Sequence, residues 1–249
     1  FQSFLKFPGE HPDLPLAQYR VAECSYFTGD FSAAREEFTA YLKANPSHAL
    51  AEWAWIYLGD SYGRLKAWEP SGAVFQAYLD RFPTGSLRTE AQFGLAKARD
   101  AAGDHADAQR LFRELASMPQ NPRAAEALFQ LGASCFDSAA YALAAEAFEQ
   151  LLDRFPEHRH AGLAALNAGF ARFHMQEYQL AASRFRQAAE VPAQQITANY
   201  WRGLCLKSLG EYAEASAILA AVRESADDDP LAEQIQFHHA DCQLRADDY

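Results

Sequence analysis

Residues 123–156 read RAAEALFQLGASCFDSAAYALAAEAFEQLLDRFP, and this stretch decides the fold. Leu128, Leu131, Gly132 and Cys135 recur at steps of three, one and three, which places them on one face of a helix. After a short turn, Ala144, Phe148 and Leu151 do the same on a second helix. Neither helix can hide its apolar stripe alone, so the two faces must bury each other. Gly132 and Ala144 are small where two antiparallel helices approach most closely. Phe148 is large enough to fill the wedge between neighbouring hairpins. Pro156 stops the second helix, because it has no N–H and disfavours helical geometry at Phe155. A single hairpin leaves its outer faces wet and needs copies on both sides.

The copies are present. Gly132 has counterparts at Ala22, Gly59, Ala96, Gly169, Gly203 and Ala240, at intervals of 34 to 37 residues. Ala144 has Ala34, Ser71, Ala108, Ala181 and Ala215, and Phe148 has Phe1, Phe38, Phe75, Phe112, Phe185 and Leu219. A ring opens almost every second helix, at Phe31, Trp68, His105, Tyr141, Tyr178, Tyr212 and Tyr249. Prolines close many units, at Pro8, Pro46, Pro83 and Pro156, with Pro119 and Pro192 one place early. A helix–turn–helix unit with this period is a sequence signature of a solenoid.

These residues resemble the tetratricopeptide repeat family over essentially the whole chain. The second copy is nearest the family pattern, with Trp55, Leu58, Gly59, Tyr62, Phe75 and Pro83; Ser71 departs from its usual Ala. The expected fold is all-α, an α-solenoid of antiparallel helix hairpins wound into a right-handed superhelix, with no sheet. First helices are expected near 15–28, 49–66, 87–102, 123–137, 160–175 and 194–209. Second helices follow near 31–45, 70–82, 105–118, 141–155, 178–190 and 212–224. A remnant helix at 1–8 and a last first helix at 230–246 bring the expected total to 14. The whole of 1–249 reads as one array of six full repeats, with partial repeats at both ends that suggest a piece of a longer protein.

Composition narrows the function. The chain has 33 acidic against 22 basic residues and a net charge of −11. That balance opposes nucleic-acid binding, which needs clustered Lys and Arg to neutralise phosphates, and docking on anionic lipid. No apolar run is long enough to span a membrane. Cys24, Cys135, Cys205 and Cys242 lie far apart, without the tight pairs of a metal site, and read as small apolar filler in the helix interface. His158 and His160, and His238 and His239, read as solvent-exposed. Acid pairs such as Glu36–Glu37 and Asp227–Asp229 read as solvated faces. No catalytic or phosphate-binding motif occurs, so neither an enzyme nor a cofactor is expected.

What remains is the face that lines the inside of the expected superhelix. In the N-terminal half it is mixed and charged, with Arg20, Glu23, Tyr57, Asp60, Arg64, Lys97 and Asp100. In the C-terminal half it is apolar, with Phe129, Phe136, Leu163, Leu166, Phe170, Phe173, Trp201 and Leu204, bordered by Asn167, His174 and Lys207. Such a groove suits a peptide or amphipathic helix of a partner protein. Packing of the same rings between successive first helices is the competing account. The resemblance includes family members that clamp a terminal carboxylate with Lys and Asn. Here those positions hold Tyr19, Glu23, Tyr57, Glu126 and Gln130, which do not support such a clamp. The RFP endings look more like bacterial envelope repeat proteins, such as the Tol-Pal cell-division coordinator and outer-membrane assembly lipoproteins, which would imply a periplasmic adaptor; a cytoplasmic one is the alternative. The expected function is a non-catalytic interaction scaffold. Alternatives are an oligomerisation module that stacks through uncapped repeat ends, or an accessory domain of a larger protein or enzyme.

Overall fold

The computed structural model describes residues 11–225 and 230–247. The remnant helix at 1–8, the acidic pair Asp227–Asp229 and Tyr249 lie outside the described residues. Within them are thirteen α-helices and no strand. They are α1 (Leu14–Phe27), α2 (Phe31–Ala44), α3 (Ala51–Arg64), α4 (Trp68–Arg81), α5 (Arg88–Ala101), α6 (His105–Ser117), α7 (Ala124–Asp137), α8 (Tyr141–Arg154), α9 (Ala161–His174), α10 (Tyr178–Ala188), α11 (Gln195–Ser208), α12 (Tyr212–Ser225) and α13 (Ala232–Asp247). Each matches an expected helix to within two residues at either end, and among the described residues each ring expected to open a second helix is the first residue of one.

The chain forms two compact units, 1–127 and 128–249, which divide inside α7. In the first, α1 packs on α2, α2 on α3, and so on to α6, and the first helix α3 also touches the first helices α1 and α5. In the second, α8 packs on α9, α9 on α10, and the sequence continues to α13. Each unit is therefore a stack of helix hairpins in chain order, the all-α architecture of a repeat solenoid.

The contact between small and large residues that sets the period is visible at every glycine of the register. A Cβ added at Gly132 would lie 2.6 Å from the Phe148 ring; at Gly169 it would lie 2.6 Å from Phe185, and at Gly203 2.8 Å from Leu219. Phe75 is held from two sides, since a Cβ would come within 2.7 Å of it at Gly59 and within 2.3 Å at Gly94 of the next hairpin. Phe38, Phe112, Phe148 and Phe185 are wholly buried, and each contributes roughly 1.5–3 kcal/mol through burial alone. Ser71 is tolerated in place of Ala because its buried hydroxyl donates to the Gly59 carbonyl at 2.8 Å. At so close a helix approach a hydroxyl can reach the opposing backbone.

The turns inside the hairpins share one device. Seven residues after the small position the backbone is left-handed, at Gly29, Lys66, Gly103, Ala139, Gln176 and Gly210. Asp30 and Asp104 then cap the following helices by accepting from Ala33 N and Asp107 N, satisfying donors that the first turn leaves open.

Two expectations need correction. Cys135, Cys205 and Cys242 are buried filler, but Cys24 is exposed, because it lies on α1, the first described helix, with no earlier described hairpin against its outer face. His239 is buried, and His158, His160 and His238 are half-buried, rather than solvent-exposed; His239 sits near Arg223 of α12, within 3.5 Å. Burial and that guanidinium together hold its imidazole below the usual pKa range.

Candidate functional site

Two places in the register decide the shape of the first-helix face. One lies two residues before the small position, and the other lies four residues after it. In the first unit Tyr57 occupies the former place on α3; it stacks on Phe38 at 5.6 Å and meets Tyr26, which occupies the latter place on α1, at 4.7 Å. In the second unit Trp201 and Phe173 repeat this arrangement, with rings 5.1 Å apart, and Trp201 stacks on Phe185. Lys207 and His238 form a polar version, 3.0 Å apart. At these three places successive first helices are bridged by a pair of side chains.

Between α3 and α5 the bridge is absent, because both places are glycine. Gly94 has no room for a side chain, since Phe75 fills the space where its Cβ would go. Gly63 does have room, with Ser71 Oγ 3.5 Å and Trp68 3.7 Å from an added Cβ. A cleft of about 530 Å³ opens there, lined by Trp53, Tyr57, Trp68, Phe75 and Phe93 among others. That volume falls within the roughly 300–1,000 Å³ of ligand pockets.

Charges line the same cleft. Asp60 accepts through Oδ2 from the Tyr26 hydroxyl at 2.5 Å and from Arg64 Nε at 3.2 Å. Burial first, and then the Asp60 carboxylate, push the Tyr26 phenol well above its usual range, leaving it a donor. Arg123 lies over the Phe93 ring at 4.8 Å, with its Nε 3.8 Å from Glu90 and Nη1 2.6 Å from Glu126. Lys97 is exposed and has no ionic partner among the described residues. Three cations, Arg64, Lys97 and Arg123, therefore face two carboxylates, Asp60 and Glu90. Glu126 also answers Arg123, so Lys97 is the cation of the cleft left without an ionic partner among the described residues.

Of the expected groove residues, Tyr57, Arg64 and Lys97 come together in this cleft. Phe170, Phe173 and Trp201 come together in the second unit, where Phe170 and Phe173 each meet the Trp201 ring edge-on. Leu166 is buried. Phe129, at the equivalent position three before its glycine, turns its ring onto Phe148 at 5.7 Å, as Tyr19 does onto Phe38 and Phe93 onto Phe112. Phe136 packs on Tyr141 and His174. Leu163 is exposed, and Asn167 and Leu204 are half-buried. Sequence reasoning missed Trp53, Phe93, Arg123 and the Gly63–Gly94 pair. The signal for the pair was two glycines at register positions that carry side chains elsewhere.

Elsewhere, the outer face of α13 shows Phe237 67% exposed and Leu244 70% exposed. His158 and His160 stand 5.2 Å apart, and among the described residues no three His, Cys, Asp or Glu side chains converge as for a metal ion. No described helix is long and apolar enough to cross a membrane.

Hairpins that repeat a small–large contact at this period define a helical repeat protein. The tetratricopeptide repeat family profile matches residues 25–86, 93–159 and 166–230. This chain belongs to that family. Solved structures agree at the level of fold. A tetratricopeptide repeat protein from Parabacteroides merdae is 16% identical with a TM-score of 0.63, over 94% of this chain and 92% of that one. The C-terminal part of a repeat-containing protein from Cytophaga hutchinsonii is 16% identical with a TM-score of 0.73, over 94% and 92%. PilW, a type IV pilus biogenesis factor, is 16% identical with a TM-score of 0.63, over 91% of this chain and 100% of its own. No curated protein sequence matches significantly.

Proposed function

We propose that the chain is a non-catalytic scaffold that binds a segment of another protein on its first-helix face, with the Gly63–Gly94 cleft of the first unit as the principal site. One observation carries this reading: the cleft combines exposed aromatic surface with an unpaired cation, the pairing that anchors interface side chains. Tyr57, Arg64 and Lys97 are its contact residues. Phe170, Phe173 and Trp201 are already engaged with one another, so we assign them chiefly to packing between successive hairpins. Leu163, Asn167 and Leu204 remain as outlying contacts for a longer ligand. The RFP endings of the units favour an envelope-associated setting for such an adaptor.

A second reading, self-association, is favoured by the apolar face of α13. Sedimentation across a concentration range, comparing the parent with Phe237→Ser/Leu244→Ser, tests it. Association in the parent and not in the variant supports that reading, and monomers in both reject it.

The scaffold reading is tested by selecting a random displayed peptide library against the chain. Enriched peptides should lose at least about tenfold in affinity for Arg64→Glu/Lys97→Glu, a difference of about 1.4 kcal/mol, at unchanged melting temperature. No enrichment, or equal binding to the double variant, would reject the cleft as the site.

A further inference from the structure

The shape and charge of the cleft restrict what fills it. At two other places in the register the first helices are bridged by rings, Tyr26 with Tyr57 and Phe173 with Trp201. At Gly63 and Gly94 the chain leaves out both members of the bridge; Phe75 fills the place at Gly94, whereas the place at Gly63 stays open beside Trp68 and Ser71. The vacated place keeps the aromatic lining of its counterparts, so its best occupant is itself an aromatic ring, gripped edge-on by Tyr57, Trp53 and Phe93. Trp53 is 43% exposed and stacks on Tyr57 at 6.1 Å, so a flat hydrophobic wall stands ready without rearrangement.

The second restriction is electrostatic. The ligand's charge must suit the cation that is unanswered within the protein. Asp60 is engaged by Tyr26 and Arg64, and Glu90 faces Arg123, which leaves Lys97. Lys97 stands three residues after Gly94 on α5, on the same helical face and one turn along. A carboxylate adjacent in sequence to the inserted ring lies within that reach. Lys97 also discriminates against a basic residue at that place.

Resting on the scaffold reading above, we propose that the partner is a peptide segment carrying an aromatic residue next to an acidic one, whose ring takes the side-chain place left open at Gly63 and whose carboxylate pairs with Lys97.

The test uses fluorescein-labelled Gly/Ser nonapeptides with Trp-Asp, Ala-Asp or Trp-Lys at the centre, titrated by fluorescence anisotropy into the whole chain. Trp-Asp should bind at least about tenfold more tightly than either relative. Gly63→Phe supplies from within the chain the ring that Tyr26, Phe136 and Phe173 supply in other hairpins. It should abolish Trp-Asp binding while the melting temperature holds or rises, since a helical glycine is also removed. Lys97→Glu should shift the preference from Trp-Asp to Trp-Lys. Equal binding of the three peptides, no binding of any, or undiminished binding to Gly63→Phe would overturn the proposal. If the library selection still enriches peptides that depend on Arg64 and Lys97 but lack an aromatic–acidic pair, the scaffold reading stands and this inference alone falls. If nothing enriches, both fall.

Discussion

Exchanging the knob and hole of the fourth hairpin tests the packing rule on which the register depends. Phe148 is wholly buried and its ring occupies the space where a Gly132 side chain would begin, 2.6 Å from the added Cβ. Phe148→Ala removes the ring and leaves a cavity lined by α7 and α8, at a cost of about 3–5 kcal/mol. Gly132→Leu drives a side chain into an occupied place. Overpacking costs about 1–3 kcal/mol, and the upper end applies here because a ring cannot fold away as a flexible chain end could. The double variant puts the Leu side chain into the cavity left by the Phe, so total volume is roughly conserved. It should therefore be less destabilised than the sum of the single variants by about 2 kcal/mol or more, a coupling of the size seen for residues in direct contact. Urea denaturation followed by far-UV circular dichroism measures all three, and Phe148→Ala should also melt on the order of 10 °C lower. Additive effects, or a Gly132→Leu protein as stable as the parent, would show that these residues do not face each other and that the register is wrong.

Three other outcomes follow from particular residues. Ala139 has φ of 59°, where a Cβ costs roughly 1–2 kcal/mol and glycine does not; after the chain-entropy penalty of glycine, Ala139→Gly should raise stability by about 0.5 kcal/mol in chemical denaturation, and a loss would contradict the strain. Burial opposes charge on Glu149, but Arg172 at 2.7 Å and Arg184 at 3.1 Å outweigh it and hold the carboxyl below the usual range. Its contribution is therefore complete above the unfolded value of about 4.3 and is lost as pH falls through the lower folded value; Glu149→Gln should flatten the acid limb of a melting-temperature profile, and an unchanged limb would count against the network. Burial pushes the Cys205 thiol up to about 12, whereas Cys24 is exposed; mass-spectrometric mapping after brief maleimide treatment of folded protein should find Cys24 modified and Cys205 spared, the reverse pattern refuting this burial.

The small–large contact was legible because it obeys a simple rule repeated at fixed spacing, and Gly132 with Phe148 is the rule in one pair. The helix ends were legible for the same reason, since a ring residue opens each second helix and prolines close many units. The groove was harder to read. Phe129 and Leu166 sit one step around the helix from the core stripe, and at 3.6 residues per turn that step is too small to separate a core-facing ring from a groove-facing one. Phe170, Phe173 and Trp201 looked available because a sequence shows which residues share a face and not which rings of adjacent repeats meet. The cleft was hardest, because it arises from side chains that are missing. A search for large or charged residues passes over Gly63 and Gly94, although their place in the register marks a gap in an otherwise filled row.

In the proposed scaffold the partner lies on α3 and α5. Hydrogen–deuterium exchange of the whole chain, with and without a library-selected peptide at saturation, tests it most directly. The account predicts new protection in Ala51–Arg64 and Arg88–Ala101, including the amides around Gly63 and Gly94, with the second unit unchanged. Protection confined to Ala161–His174 and Gln195–Ser208 would contradict it and return the site to the apolar face of the second unit.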